Sequence, residues 1–203
     1  MKIFIATGNL HKLTELKAIL PAQTAAGEPI VYVSTLDLPD FVMPQETAET
    51  LRENACLKAE AGARQTGLIC LADDTGLEVD ALGGAPGVHT ARYAGENASS
   101  AANNEKLLAA LKNMPPEKRT ARFRTVACLA FPGGKTVCFE GKAEGTIATH
   151  YHGVNGFGYD PIFVVSEAGK AFAELSEEAK NKISHRGNAF RKLADFLVKL
   201  PAN

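Results

Sequence analysis

Five short segments carry residues whose types and spacing could do chemistry. They are Thr7-Gly8-Asn9-Leu10-His11-Lys12, Glu46 with Lys58, Leu71-Ala72-Asp73-Asp74-Thr75-Gly76, Phe157-Gly158-Tyr159-Asp160, and Lys180 followed by Ser184-His185-Arg186. Lysines neutralise phosphoryl oxygens, carboxylates hold a hard divalent cation, and a glycine turn opening a helix aims backbone N–H groups at an anion. Together the segments describe a pocket for phosphates, a metal ion and a base.

The elements that must position these groups can be read from periodicity and punctuation. Ile3 to Ala6 predicts a short buried strand, and Gly8-Asn9 turns it into a helix with Leu10, Leu13, Leu16 and Leu20 at helical spacing. Lys12 then sits in the first helical turn. Ile30 to Thr35 predicts a second strand and Leu36 to Gln45 a loop. Thr50 with Glu53 forms a capping box for a long helix that Gly67 stops, with Leu51, Ala55, Ala59 and Gly62 as a small-residue stripe. Asn54 and Lys58 lie one turn apart on a neighbouring face, where a solvated lysine is the plain reading.

Leu68 to Ala72 predicts a strand buried on both faces that ends abruptly at Asp73-Asp74-Thr75-Gly76. Adjacent strand residues point to opposite faces, so only one of the two aspartates aims into a given cleft. Glu78 to Asp80 reads as a short strand and Gly83 to Gly87 as a loop marking a lobe boundary. A helix is expected over 99–114, a long β-hairpin over 123–144 turning at 132–135, and a strand over 162–165. A short acidic helix follows Ser176, and Ser184 caps a last helix whose first turn carries His185 and Arg186.

The Thr7 to Lys12 turn lacks the spacing of a Walker A loop and of G-x-G-x-x-G, so a simple strand-to-helix connection competes with phosphate binding. Glu46, Asp73 and Asp74 offer oxygen ligands, which suit magnesium or manganese better than zinc. His150 and His152 find no third zinc ligand. No G-x-S-x-G elbow or catalytic cysteine context exists, which leaves attack by water activated beside a metal.

The 203-residue chain is expected to form one domain or two tightly joined lobes, burying roughly 70 per cent of its unfolded surface. A formal net charge of −1 excludes a global field for nonspecific nucleic-acid binding. Cys56, Cys70, Cys128 and Cys138 show no C-x-x-C pairing and read as reduced, structural residues of an intracellular protein. The start lacks a signal h-region and no apolar run approaches a membrane span, so the cytoplasm is the expected address, with no membrane partner.

Read in order, T-G-N-x-x-K, E-T, E-N-A-x-x-K-A, A-D-D-T-G-L, G-G-x-P-G-x-x-T/S-A-R-Y, G-F-G-Y-D-P-I-F and S-H-R-G resemble the inosine triphosphate pyrophosphatase family over nearly the whole chain. The resemblance implies an α/β fold, an elongated mixed β-sheet flanked by helices in two lobes with a central cleft, and a homodimer. It implies magnesium-dependent hydrolysis of dITP, ITP and XTP to the monophosphate and pyrophosphate. Residue by residue, Thr7, Gly8, Asn9, Leu10, His11 and Lys12 would bind substrate phosphates. Glu46 and Asp74 would hold the metal, with Asp74 also the proton acceptor, Asp73 a supporting acid and Lys58 an aid at the phosphates. Thr75 would touch substrate, Phe157, Gly158, Tyr159 and Asp160 would form part of the nucleoside pocket, and Lys180, His185 and Arg186 would close over base and sugar. Thr75 stands where the family more often has serine, and Leu51 where phenylalanine is commoner.

Two other readings compete. One is a pyrophosphatase for modified pyrimidine nucleotides, the other a nucleotide sensor without turnover. A triphosphate panel separates the first, and the pair Glu46 and Asp74 argues against the second.

Overall fold

A computed structural model describes residues 1–201. In chain order the elements are β1 (Lys2–Ile5), α1 (Leu10–Ile19), β2 (Val31–Ser34), α2 (Leu51–Thr66), β3 (Ile69–Val79), β4 (Pro86–Gly87) and α3 (Ser100–Ala110). They continue with β5 (Thr120–Ala130), β6 (Thr136–Ile147), β7 (Phe163–Val165), β8 (Lys170–Ala171), α4 (Glu177–Ile183) and α5 (His185–Val198). The strands form one open mixed sheet in the order β2-β1-β3-β5-β6-β7-β8, with β4 paired to β3. β1 is parallel to β2 and β3, whereas β6-β7 and β7-β8 are antiparallel. This is the expected α/β class. Among the described residues no helix is long and apolar enough to cross a membrane.

The chain divides into two compact units. The first comprises residues 1–74, 125–141 and 188 onward, the second 75–124 and 142–187. Gly83 to Gly87 does not mark a boundary, because it lies inside the second unit. There the chain folds back and Pro86–Gly87 pairs antiparallel with Glu78 and Leu77 of β3. The glycine-rich composition serves a tight return that brings Pro86–Gly87 back onto β3.

The core of the first unit gathers Ile3, Ile5, Leu71, Leu13 and Leu16 with Phe190, Leu193 and Leu197 of α5. The other parity of the same strands meets α2. A Cβ placed on Gly62 would fall on Cys70 Sγ and lie 3.2 Å from a Phe4 ring carbon. Helix and strand approach so closely there that no side chain fits. Gly62→Ala is therefore expected to destabilise the protein by about 1–3 kcal/mol, read as a lowered denaturant midpoint with unchanged slope.

Local signals explain the helix ends. Asn9 Oδ1 accepts from the His11 and Lys12 N–H groups, Thr50 accepts from Glu53 N, and Gly67 closes α2 in the left-handed region at φ 68°. Ser184 Oγ accepts from Gly187 N at 3.0 Å and starts α5. Leu10 breaks the expected leucine face: it is exposed, whereas Leu13, Leu16 and Leu20 are buried. The α3 helix stops at Ala110, short of Met114, and its last turn loosens before Pro115.

Strand β3 and two of the cysteines differ from what their sequence suggests. The strand does not end at Asp73 but runs on through Asp73-Asp74-Thr75-Gly76 to Val79, absorbing the separate strand expected at Glu78. Two adjacent acids looked like turn chemistry, yet each finds a lysine and stays in the ladder. Cys128 and Cys138 are not free thiols, because they form a disulfide across β5 and β6 with Cα atoms 4.2 Å apart. The hairpin register places them face to face, which spacing alone did not reveal. Cys56 and Cys70 are free, and burial with the nearby Glu60 carboxylate pushes the Cys56 thiol up.

In the second unit, Leu77, Val79, Leu107, Phe123, Phe163 and Phe172 pack together with Tyr159. Arg119 is buried among them, but its guanidinium donates to the Ile147, Leu111 and Ala148 carbonyls at 2.6–2.7 Å. Its role is to join chain segments.

Candidate active site

The alternation of β3 sorts its two aspartates. Leu71 belongs with the core under α1 and α5, so Asp73 shares that parity, and Lys12 Nζ of α1 lies 3.0 Å from Asp73 Oδ2. Asp74 shares the parity of Cys70, the α2 side, and Lys58 Nζ of α2 lies 3.2 Å from Asp74 Oδ1. Period two in the strand thus gives each carboxylate its own helix and its own ammonium group.

Lys58 is not the solvated lysine its helical position suggested. It is 5% exposed, and its Nζ also donates to Glu46 Oε1 at 2.6 Å. One ammonium therefore holds Glu46 and Asp74 together, although they lie 28 positions apart in the chain. Glu46 is placed by a residue whose role was not legible in the sequence. Asn54, one turn before Lys58 on α2, accepts from Ala48 N at 3.0 Å and donates to Ala48 O at 3.3 Å. Those two bonds pin the loop just after Glu46 to the helix.

Three carboxylates, Glu46, Asp73 and Asp74, gather around the ammonium groups of Lys12 and Lys58. Asp74 Oδ2 is buried and has no hydrogen-bond partner. Burial pushes the Asp74 carboxyl above the usual range, Lys58 opposes this, and the Glu46 charge adds to it. Burial alone would lower Lys58, but Asp74, Asp73 and Glu46 outweigh it and raise its pKa, so it stays an ammonium. A buried carboxylate oxygen without a donor, beside a second carboxylate on the same lysine, is a hard-oxygen set that fits a magnesium-type cation.

The Thr7 to Lys12 segment opens α1 as expected, with one difference. Two of its N–H groups, those of His11 and Lys12, are already taken by Asn9, and Thr7 Oγ1 accepts from Asn9 N at 3.2 Å. A Cβ on Gly8 would meet nothing within 4 Å, so the turn is open there. Lys12, whose side chain is partly exposed beside Asp73, is the charged group of this segment.

In the second unit another group assembles by itself. Lys180 Nζ lies 2.5 Å from Asp160 Oδ2, and both are buried. Asp160 also accepts from Phe157 N at 2.8 Å, which closes the loop. The Phe157 ring has Lys180 Nζ at 4.8 Å and Arg186 Cζ at 5.6 Å from its centroid, cation–π distances. Arg186 Nη2 donates to Thr75 Oγ1 at 3.2 Å, bringing the strand hydroxyl to the same guanidinium. His185 is buried with its ring stacked on Phe123, centroids 4.4 Å apart. Gly158 O accepts from Asn104 Nδ2 at 3.0 Å, a contact from α3 that no local signal announced. Tyr159 faces the core, and its hydroxyl donates to Thr90 O at 3.0 Å.

The structure thus brings together Glu46, Lys58 and Asp74, pairs Lys12 with Asp73, and gathers Phe157, Asp160, Lys180, Arg186 and Thr75. A model of the Ham1 family matches residues 3–196 of the chain. The chain is 55% identical to the dITP/XTP pyrophosphatase of Elusimicrobium minutum, covering 96% of this chain and 98% of that protein. It is 50% identical to the dITP/XTP pyrophosphatase of Geobacter sulfurreducens, covering 97% and 96%. Among solved structures, the HAM1 protein from Coxiella burnetii superposes with a TM-score of 0.87 at 39% identity, covering 98% of this chain and all of that one. The Staphylococcus aureus Ham1 protein gives 0.84 at 44% identity, covering 97% and 98%.

Proposed function

The chain belongs to the Ham1 family, and from that premise we propose how its residues divide the work of hydrolysing non-standard purine nucleoside triphosphates. The protein is an enzyme acting on phosphoric anhydrides: dITP, ITP and XTP yield the nucleoside monophosphate and pyrophosphate, which removes these bases from the nucleotide pool. The observation that carries the assignment of roles is Lys58 holding Glu46 and Asp74, with Asp74 Oδ2 buried and lacking a donor.

Asp74 Oδ2 accepts a proton from water as the water oxygen bonds to the α-phosphorus, and the bond from that phosphorus to the α–β bridging oxygen breaks. The electron pair leaves with pyrophosphate. Lys58 and Lys12 neutralise phosphoryl oxygens, and Thr7 to His11 line the turn beside them. Asp73 holds Lys12. Glu46 and Asp74 would hold magnesium, which when bound supplies positive charge to the polyphosphate and fixes its position.

In the second unit, the Phe157 ring and the Lys180–Asp160 pair serve the nucleoside, with Gly158 shaping the loop and Tyr159 anchoring it. Donors from His185 and Arg186 meet the 6-keto oxygen of hypoxanthine or xanthine, where adenine would place an amino group against a donor. Arg186→Ala is expected to lower kcat/KM on ITP by about 100-fold and to narrow the ITP-over-ATP ratio. An unchanged ratio would remove Arg186 from base selection. The same reading extends to a homodimer in the cytoplasm, which sedimentation at working concentration and fractionation would test.

The deciding experiment is a product assay on ITP with magnesium. Pyrophosphate and IMP in equal amounts are expected; orthophosphate and IDP would mean that the γ-phosphorus is attacked and would overturn the assigned geometry.

A further inference from the structure

Away from the nucleotide chemistry, three sulfur atoms converge in the first unit. Cys56 Sγ of α2 lies 3.4 Å from Cys128 Sγ of β5 and 3.3 Å from Cys138 Sγ of β6. All three fall within 4.8 Å of one another. Polar contacts one turn to either side fix Cys56 over the hairpin. Arg52 Nη2 donates to Glu140 Oε1 at 2.8 Å, and Glu60 Oε1 accepts from Thr136 Oγ1 at 2.9 Å. Residues 52, 56 and 60 of the helix thus run alongside 140, 138 and 136 of the strand, with the sulfurs at the middle rung. Cys128 is buried, and Cys56 and Cys138 are half-buried, so the cluster has a closed side and one reached by solvent.

We infer that Cys56, Cys128 and Cys138, once the disulfide is reduced, form a binding site for one thiophilic d¹⁰ cation such as zinc, cadmium or copper(I). A tetrahedral ion with metal–sulfur bonds of about 2.3 Å sets its sulfurs about 3.8 Å apart. Both separations of Cys56 lie within about half an ångström of that value. The remaining pair faces across the hairpin, with Cα atoms 4.2 Å apart, so small side-chain rotations bring it to the same spacing. Three sulfurs from three different strands and helices leave the fourth position for water on the solvent side. Soft sulfur ligands select such ions over magnesium, which prefers oxygen. The site is therefore chemically distinct from Glu46 and Asp74.

The chemistry balances with a named reductant. A phosphine breaks the Cys128–Cys138 bond by giving it two electrons; the phosphorus takes the oxygen of one water and becomes phosphine oxide, and the two sulfurs take that water's two protons as thiols. Binding then forms three metal–sulfur bonds and releases the thiol protons to buffer. The disulfide closes the site and its reduction opens it.

Cadmium titration of phosphine-reduced protein under anaerobic conditions tests this. One equivalent should bind with a sulfur-to-cadmium charge-transfer absorption in the ultraviolet, a signal that carboxylate ligation does not give. The air-oxidised protein should show none. Cys56→Ser and, as a second variant, Cys138→Ser should each weaken binding more than about 100-fold, while Cys70→Ala should bind like the parent. Retained ITP turnover verifies that each variant is folded. A missing absorption in the reduced parent, an equal signal in the oxidised protein, or unaltered affinity in both serine variants would each overturn the proposal.

Discussion

Asp74→Asn should cut turnover by about 100-fold or more while leaving the protein as stable as the parent, or more so. The substitution removes the proton acceptor and one charge but keeps the shape, so a loss of about 100-fold or more in kcat is expected. The stability half follows from the environment. Burial raises the Asp74 carboxyl above its ordinary value, against the pull of Lys58. A raised acid binds its proton more tightly in the folded than in the unfolded chain. Its contribution to stability is therefore full below the unfolded pKa and is lost as pH rises through the folded one. At neutral pH and without divalent cation the parent bears that loss, whereas asparagine has no charge to bury. Thermal melts across pH should show the parent losing stability as pH rises through the carboxyl range, and the variant losing less. In the parent with magnesium, turnover should rise with pH as Asp74 ionises. Unchanged turnover in the variant would take Asp74 out of the reaction.

What the sequence made legible was mostly local. Thr50, Gly67, Ser176 and Ser184 announce helix ends because a cap acts within four residues. The hairpin from β5 to β6 is likewise legible from alternation and the Pro132-Gly133-Gly134-Lys135 turn. Failures occur where a distant partner overrides local preference. Asp73-Asp74-Thr75-Gly76 resembles a turn until Lys12 and Lys58 arrive from two helices and keep it in a strand. Lys58 resembles a solvated charge until Glu46 and Asp74 surround it. Asn54 and Asn104 carry no motif that distinguishes them from helix-surface amides, yet one holds the Glu46 loop and the other the Gly158 turn. The Cys128–Cys138 bond depends on strand register, which a spacing of ten residues does not specify. Site residues were recognisable as types, and their partners only through tertiary contact.

Lys58→Met tests the opposite side of the same cluster and should be the most damaging single change to the fold. The side chain is unbranched and of similar length, so packing along α2 is largely kept while the ammonium is lost. Glu46 and Asp74 would then face each other without the cation that both now contact. Removing one partner of a buried ion pair typically costs about 3–5 kcal/mol, because the remaining charge stays desolvated. The penalty should shrink by about 1–3 kcal/mol when the change is made in the Asp74→Asn background, since one of the stranded charges is gone. Denaturant midpoints of the four proteins of this cycle measure that coupling, and strict additivity would show that Lys58 and Asp74 do not interact. Magnesium adds a separate arm. A cation bound by Glu46 and Asp74 would supply charge where the ammonium was removed, and at about 100 times its Kd it would return about 2.7 kcal/mol to Lys58→Met. The double variant should recover much less, because Asp74 is needed for that recovery. Equal recovery in both would place magnesium away from Asp74, and the loss of the ammonium alone would then account for the damage.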